Sequence, residues 1–340
     1  MEDNELIEAT TISSYKTICA KMGLLMCVYY ISRIVNGLIA SLIGGLIDKI
    51  GYSATYIIHT VIAVIFSYII PILTAAFFFK SFGNYRGKLR ILYKKPKRLA
   101  RALGNFPAMY GLGYGIALLT LLVSFLISKV SGGQPIVDEL FRPTTVEPST
   151  DIVSALIMFL LIVVVAPIAE EFLVRGIIYD ALKPYGCGMA IIISSILFGL
   201  MHGRLFMLFY STALGFALGY IRYATDSLFA GTILHAIINS FGAGMLLISS
   251  IMEIIGGDNK LVNTIYGVYI LIMLILIIVG VIAFIRKIPV IRKYKLDNTW
   301  TEIGPGKKAA LFFLSMPVIV MLIFAVNEHA NNWLLGLLIN

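Results

Sequence analysis

The sequence predicts an all-α, polytopic membrane helix bundle with about nine transmembrane helices and a central polar cavity. Of the 340 residues, 59% are hydrophobic and only 13% are charged, whereas about 25% are charged in ordinary soluble domains. A transmembrane helix needs about 20 mostly apolar residues, so this excess could supply about nine spans. The apolar runs are continuous and do not alternate with polar residues, which disfavours a transmembrane β-barrel.

Nine apolar segments follow one another along the chain. Their approximate bounds are 22–46, 52–79, 108–129, 152–182, 188–203, 206–224, 227–253, 262–285 and 309–326. The fourth segment is unusual because Glu170, Glu171 and Arg175 lie inside it, with apolar residues on both sides. These charges are therefore embedded in a span and do not mark its end.

Basic residues predict the orientation of the chain. The linker 80–107 contains nine lysines and arginines and no acid. Because cytoplasmic loops carry the excess of basic residues, this linker should be cytoplasmic. With nine spans, 20 of the 27 basic residues fall on that side, and the N-terminus is cytoplasmic as well. The net charge of +9 then indicates anionic lipid at the linker as a partner, and not nucleic acid.

We divide the chain into three regions and expect it in the cell (plasma) membrane as a multi-pass protein. N-terminal transmembrane helices and the basic linker occupy 1–151, a core with the embedded polar residues occupies 152–253, and C-terminal helices occupy 254–340. The first region has one embedded cation, Arg33. We interpret it as facing the bundle or reaching toward the interface, with substrate contact as the alternative.

Six polar residues of the core lie where hydrocarbon would make them costly. They are Glu170, Glu171, Arg175, His202, His235 and Asn239. An ionisable group at the centre of a span costs about 2.5–3.5 kcal/mol, so each one requires a partner or a function. Glu171 and Arg175 are four residues apart, which allows them to form an ion pair on one helix face.

The other four residues predict a hydrolytic site. At about 1.5 Å per helical residue, Glu170, His202, His235 and Asn239 all fall in one layer of the membrane. Glu170 could take a proton from water that His202 holds, while His235 and Asn239 donate hydrogen bonds to a developing oxyanion. Hydrolysis of a peptide bond requires this set of groups.

A metal site is the alternative interpretation of the same residues. One carboxylate and two histidines form a familiar zinc set, and here the ligands would be Glu170, His202 and His235. There is no HExxH motif, and the three residues come from three different segments. The spacing therefore leaves zinc and metal-free catalysis open.

Three motifs in order resemble the CPBP family of intramembrane proteases, which includes the type 2 CAAX prenyl protease and Abi-like bacterial homologues. EEFLVRG at 170–176 is similar to the family motif EExxxR, FGLMH at 198–202 to FxxxH, and HAIIN at 235–239 to HxxxN. The resemblance covers about 75 residues. The motifs are specific because they occur together and in this order.

The resemblance implies a water-filled cavity in which Glu170 is the general base and His202 positions the water. Glu171 and Arg175 would be the supporting pair, and His235 and Asn239 would bind the oxyanion. The substrate would be a peptide or a membrane protein, cleaved near the cytoplasmic side of the bilayer. Family members have been described both as metalloproteases and as glutamate proteases, and we prefer the metal-free mechanism.

A second function is compatible with the same fold. Some bacterial-type homologues support bacteriocin immunity or act as partners of sensor kinases. The chain would then be a non-catalytic membrane partner. The intact motifs favour the protease.

Overall fold

The structure is a computed structural model that describes residues 12–47, 51–80, 94–96, 99–130, 132, 148–256, 259–293 and 303–329. These residues form helices and connecting turns, with no strand among them, which confirms the predicted all-α helix bundle. Most of the basic linker 80–107 lies outside the described residues. The anionic-lipid partner at that linker therefore stays a prediction.

The helices are numbered here in chain order within the described residues. They are α1 Ile12–Ile47, α2 52–80, α3 Leu99–Leu103, α4 Phe106–Val130, α5 152–182, α6 Cys187–Leu200, α7 Leu205–Thr225, α8 Leu228–Ile254, α9 Lys260–Lys293, α10 Pro305–Phe313 and α11 Met316–His329. A short 3₁₀ turn, Lys183–Tyr185, connects α5 to α6.

Six of the described helices are long and apolar enough to cross a membrane, and α10 with α11 would form a seventh, bent span. This gives six or seven spans where the sequence predicted nine. The difference lies at the fifth and sixth predicted segments. The 14 residues of α6 would extend only about 21 Å, less than the roughly 30 Å of a hydrocarbon core. The chain is nevertheless a multi-pass membrane protein, with large apolar side chains such as Leu42 and Phe77 exposed on the helix surfaces.

Two buried apolar clusters hold the bundle together. In the first, α1, α5 and α6 pack together, and α10 and α11 cover α1. In the second, α4, α7, α8 and α9 meet. At the contact of α4 with α9, Gly111 faces Gly280 so closely that a Cβ on Gly111 would lie 2.0 Å from the Gly280 carbonyl carbon. Small residues of this kind allow helix backbones to approach each other in membranes.

Two helices change locally to π-helical geometry shortly before a proline. In α2 the π segment is Ile65–Ile69, and Pro71 follows. In α5 it is Leu161–Val165, and Pro167 follows. A proline inside a helix has no N–H to donate, and π segments are frequent at functional sites. A further π segment, Phe172–Ile178, lies later in α5.

Candidate active site

A cavity of about 290 Å³ lies between α1, α2, α5 and α6. Its lining residues are Tyr29, Arg33, Ala63, Val64, Ser67, Tyr68, Leu161, Glu170, Phe198, Met201 and His202. Two of the sequence-predicted residues, Glu170 and His202, therefore share one cavity although they are 32 positions apart in the sequence.

Glu170 is held between two neighbouring side chains and stays partly accessible. The Tyr68 hydroxyl donates a hydrogen bond to Glu170 Oε1 at 3.4 Å, and His235 Nε2 lies 3.7 Å from Glu170 Oε2. The Glu170 side chain remains 14% exposed. A carboxylate in this position can accept a proton from a water molecule in the cavity.

His202 lies just after the end of α6, where the helix gives way to a turn. Its Nδ1 is 2.7 Å from the Phe198 carbonyl oxygen. Because a carbonyl oxygen can only accept, Nδ1 carries the proton in this hydrogen bond, and in the neutral ring Nε2 is left as an acceptor. Tyr29 of α1 donates to the adjacent carbonyl of Met201 at 2.8 Å, which fastens this turn to α1.

Behind Glu170 lies a fully buried ion pair. Arg175 Nη1 is 2.8 Å from Glu171 Oε1, and the two side chains are 0% and 1% exposed. The guanidinium also donates to the Gly215 carbonyl at 3.0 Å and lies 4.4 Å from the centre of the Phe198 ring. Charge-assisted hydrogen bonds of this kind are the strong ones in a low-dielectric interior.

His235 connects the buried pair to Glu170. Its Nδ1 lies 3.2 Å from Glu171 Oε1, and its Nε2 faces Glu170 Oε2. Asn239, one turn further along α8, donates from Nδ2 to the Ile162 carbonyl in α5 at 3.0 Å. Neither His235 nor Asn239 lines the cavity. The structure thus brings His235 to Glu170, whereas Asn239 contacts the backbone of α5.

The alternative metal set does not take the form of a ligand cluster. Within the described ranges, no group of three or more His, Cys, Asp or Glu side chains could hold a metal ion. Glu170, His202 and His235 all lie within these ranges. His235 contacts Glu171 through Nδ1 and faces Glu170 through Nε2.

Sequence reasoning missed the contribution of α1 and α2. Tyr68 and Tyr29 form part of the cavity wall, and Arg33, assigned to the bundle or interface, is also on that wall. The Arg33 Nη1 donates to the Tyr29 hydroxyl at 3.3 Å. A signal was present in the sequence, because Pro71 interrupts an apolar span just after Tyr68.

A family model described as Rce1-like, Type II CAAX prenyl endopeptidase Rce1-like, matches residues 152–241. The match confirms the family resemblance. We call residues 152–241 the CAAX-protease segment. It amounts to 90 of the 340 residues and supports a protease. No curated protein and no solved structure gives a significant match to the chain.

The CAAX-protease segment contains all six sequence-predicted site residues. It ends shortly after Asn239 and begins in the first turn of α5. The cavity wall formed by α1 and α2 lies outside it. The site is therefore built from the family segment on one side and from N-terminal helices, which the family model does not cover, on the other.

Proposed function

We propose that the protein is an integral membrane endopeptidase of the CAAX-protease type that hydrolyses a peptide bond near the cytoplasmic side of the bilayer. The observation that carries the proposal is that Glu170 and His202 line one cavity within a segment matched by the Rce1-like family model. The substrate would be a peptide or a membrane protein, and the site would lie in the cell membrane with the N-terminus in the cytoplasm.

In this mechanism Glu170 is the general base. It takes a proton from water as the water oxygen attacks the peptide carbonyl carbon, and it then gives that proton to the leaving amine as the C–N bond breaks. His202, with Nδ1 committed to the Phe198 carbonyl, accepts a hydrogen bond from the water through Nε2. The two side chains together orient one lone pair of the water toward the carbonyl carbon.

The remaining polar residues hold Glu170 in place. The buried Arg175 compensates the charge of Glu171, and His235 spans Glu171 and Glu170. His235 and Asn239, the expected oxyanion donors, do not line the cavity. The contacts of His235 favour a role in orienting the two carboxylates.

The proposed mechanism requires no metal ion. Glu170 and His202 share the cavity and together supply the base and the hydrogen-bond acceptor that orient the attacking water. Treating the purified protein with a chelator should leave its cleavage rate unchanged. Loss of cleavage that returns when zinc is added back would instead support the metalloprotease alternative.

The test of the function compares membranes that contain the unaltered protein with membranes that contain Glu170→Gln or His202→Ala. We expect both variants to accumulate in the membrane and to leave the same precursor uncleaved, which quantitative proteomics would detect. Glu253→Gln, an acid on the exposed end of α8, is the matched control and should cleave normally. Full activity in both site variants would refute the proposal.

The same variants separate catalysis from the non-catalytic alternative. A partner or immunity protein would need its surfaces and not the proton-accepting carboxylate. If the Glu170→Gln protein cleaved nothing but gave a deletion strain its normal phenotype back, the non-catalytic function would replace the protease proposal.

A further inference from the structure

One carbonyl group of α5, next to the cavity-lining residue Leu161, loses its helical hydrogen-bond donor because a proline follows it. The N–H of Ala166 bonds to the carbonyl of Leu161, five residues back, in π-helical fashion. By the same spacing the Ile162 carbonyl would accept from residue 167, but Pro167 has no N–H. The backbone of α5 therefore cannot satisfy the Ile162 carbonyl.

The side chain of Asn239 supplies the missing donor. Its Nδ2 donates to the Ile162 carbonyl oxygen at 3.0 Å. A carbonyl left without a partner inside a membrane protein is costly, because no bulk water is available to replace the donor. The hydrogen bond connects α8 to the π segment whose first residue, Leu161, lines the cavity. Glu170 follows Pro167 by about one helical turn.

The opposite wall of the cavity repeats this arrangement with different residues. In α2 the N–H of Ile70 bonds to the Ile65 carbonyl, again five residues back. The Phe66 carbonyl would then accept from residue 71, which is Pro71. The Ser32 hydroxyl of α1 lies 2.6 Å from the Phe66 carbonyl oxygen and 2.8 Å from the Tyr29 carbonyl oxygen of its own helix, and the shorter contact is the one to Phe66. In both helices a proline removes the backbone donor of a carbonyl, and a side chain from another helix bonds to that carbonyl. The repetition argues against a chance contact of Asn239.

We propose that Asn239 is a positioning residue that replaces the hydrogen bond lost at Pro167. Through this bond it holds the π segment Leu161–Val165 and the turn that carries Glu170. Ser32 does the same for the π segment Ile65–Ile69, which carries Tyr68. The effect on cleavage rests on the proposed function, but the hydrogen bond itself can be tested without it.

The test is a rescue experiment on the full-length protein in detergent. Asn239→Ala should lower the midpoint of thermal unfolding by about 4 °C, because a buried carbonyl loses its partner, and should slow cleavage about tenfold. Pro167→Ala supplies a backbone N–H five residues after Ile162. In the Pro167→Ala background, Asn239→Ala should therefore shift the midpoint by less than about 1 °C and change cleavage little.

The matched control places the new N–H in the wrong helix. Pro71→Ala should leave the cost of Asn239→Ala unchanged, whereas it should remove the cost of Ser32→Ala. The inference would be overturned if Asn239→Ala lowered the unfolding midpoint by the same amount in the unaltered, Pro167→Ala and Pro71→Ala proteins. So would a variant that loses cleavage with an unchanged midpoint, which is the behaviour of an oxyanion donor.

The unfolding measurements are repeated in the Glu170→Gln protein, where no cleavage is expected. If the rescue appears there while the unaltered protein shows no Glu170-dependent cleavage, the protease proposal fails and the hydrogen-bond inference stands. If cleavage depends on Glu170 but the rescue is absent, the hydrogen-bond inference alone fails.

Discussion

Replacing Arg175 by methionine should be one of the most destabilising changes in the CAAX-protease segment. The guanidinium is fully buried, and the substitution removes its 2.8 Å ion pair with Glu171, its hydrogen bond to the Gly215 carbonyl and its contact with the Phe198 ring. Methionine fills much of the space, so the principal cost is the carboxylate of Glu171, which among the described residues then keeps only His235 as a partner.

The expected magnitude follows from burial. Removing one partner of a buried ion pair costs about 3–5 kcal/mol, because an uncompensated charge remains in the interior. At an unfolding entropy of about 2.1 cal/mol/K per residue, a chain of 340 residues shifts by about 1.4 °C per kcal/mol, so the midpoint of thermal unfolding should fall by roughly 4–7 °C. The assay is thermal unfolding of the purified protein in detergent, together with its amount in the membrane.

Two further variants decide whether the physical reason is correct. Lys183 forms an exposed ion pair with Asp226, with side chains 43% and 72% exposed, so Lys183→Met should cost about 0–1 kcal/mol. Adding Glu171→Gln to Arg175→Met removes the unpaired charge and should recover part of the lost stability. A midpoint for Arg175→Met within about 2 °C of the unaltered protein, or no recovery in the double variant, would refute the reasoning.

Three other changes test separate parts of the structure. Tyr68→Phe removes the hydroxyl bonded to Glu170 and should lower kcat roughly tenfold with KM unchanged. The control is Tyr185→Phe, because the Tyr185 hydroxyl bonds to Ser14 away from the cavity. Gly111→Ala should separate α4 from α9 and cost about 1–3 kcal/mol in unfolding measurements, whereas Gly37→Ala, with nothing within 4 Å of the new Cβ, should cost nothing. Burial raises the pKa of Asp226, but the hydrogen bonds and charges of its basic neighbours outweigh burial and hold the pKa below 3.8. Asp226→Asn should therefore reduce stability above about pH 4, and the difference in stability should disappear as the pH falls through that depressed pKa. A difference that persists at lower pH would contradict this assignment.

Much of the candidate site could be read from the sequence because ionisable residues are rare in an apolar chain. Glu170 and His202 stood out as polar groups inside spans, and a depth estimate along each helix was enough to put them in one layer. The spacing of Glu171 and Arg175 also indicated an ion pair, and the structure has that contact. These features depend on local spacing and on the cost of burying charge, both of which a sequence displays.

The number of spans was harder to obtain. The sequence predicted a separate span at 188–203, but α6 has 14 residues, and hydropathy does not reveal that a buried helix can end before it crosses the bilayer. The short helix is accommodated because it packs against α5 and α7, with Ile193 and Leu197 fully buried in protein. An apolar helix inside a bundle and an apolar helix facing lipid have the same composition.

The sequence by itself determined that the chain is an all-α membrane protein, that its core carries a protease-like set of polar residues, and which of them can pair within one helix. Only the tertiary structure decided what those residues face. It put Tyr68 on Glu170 and directed Asn239 to the Ile162 carbonyl. The physical reason is that a motif records spacing along one helix, whereas a hydrogen-bond partner on another helix depends on how helices pack and on which carbonyls a distant proline leaves unsatisfied.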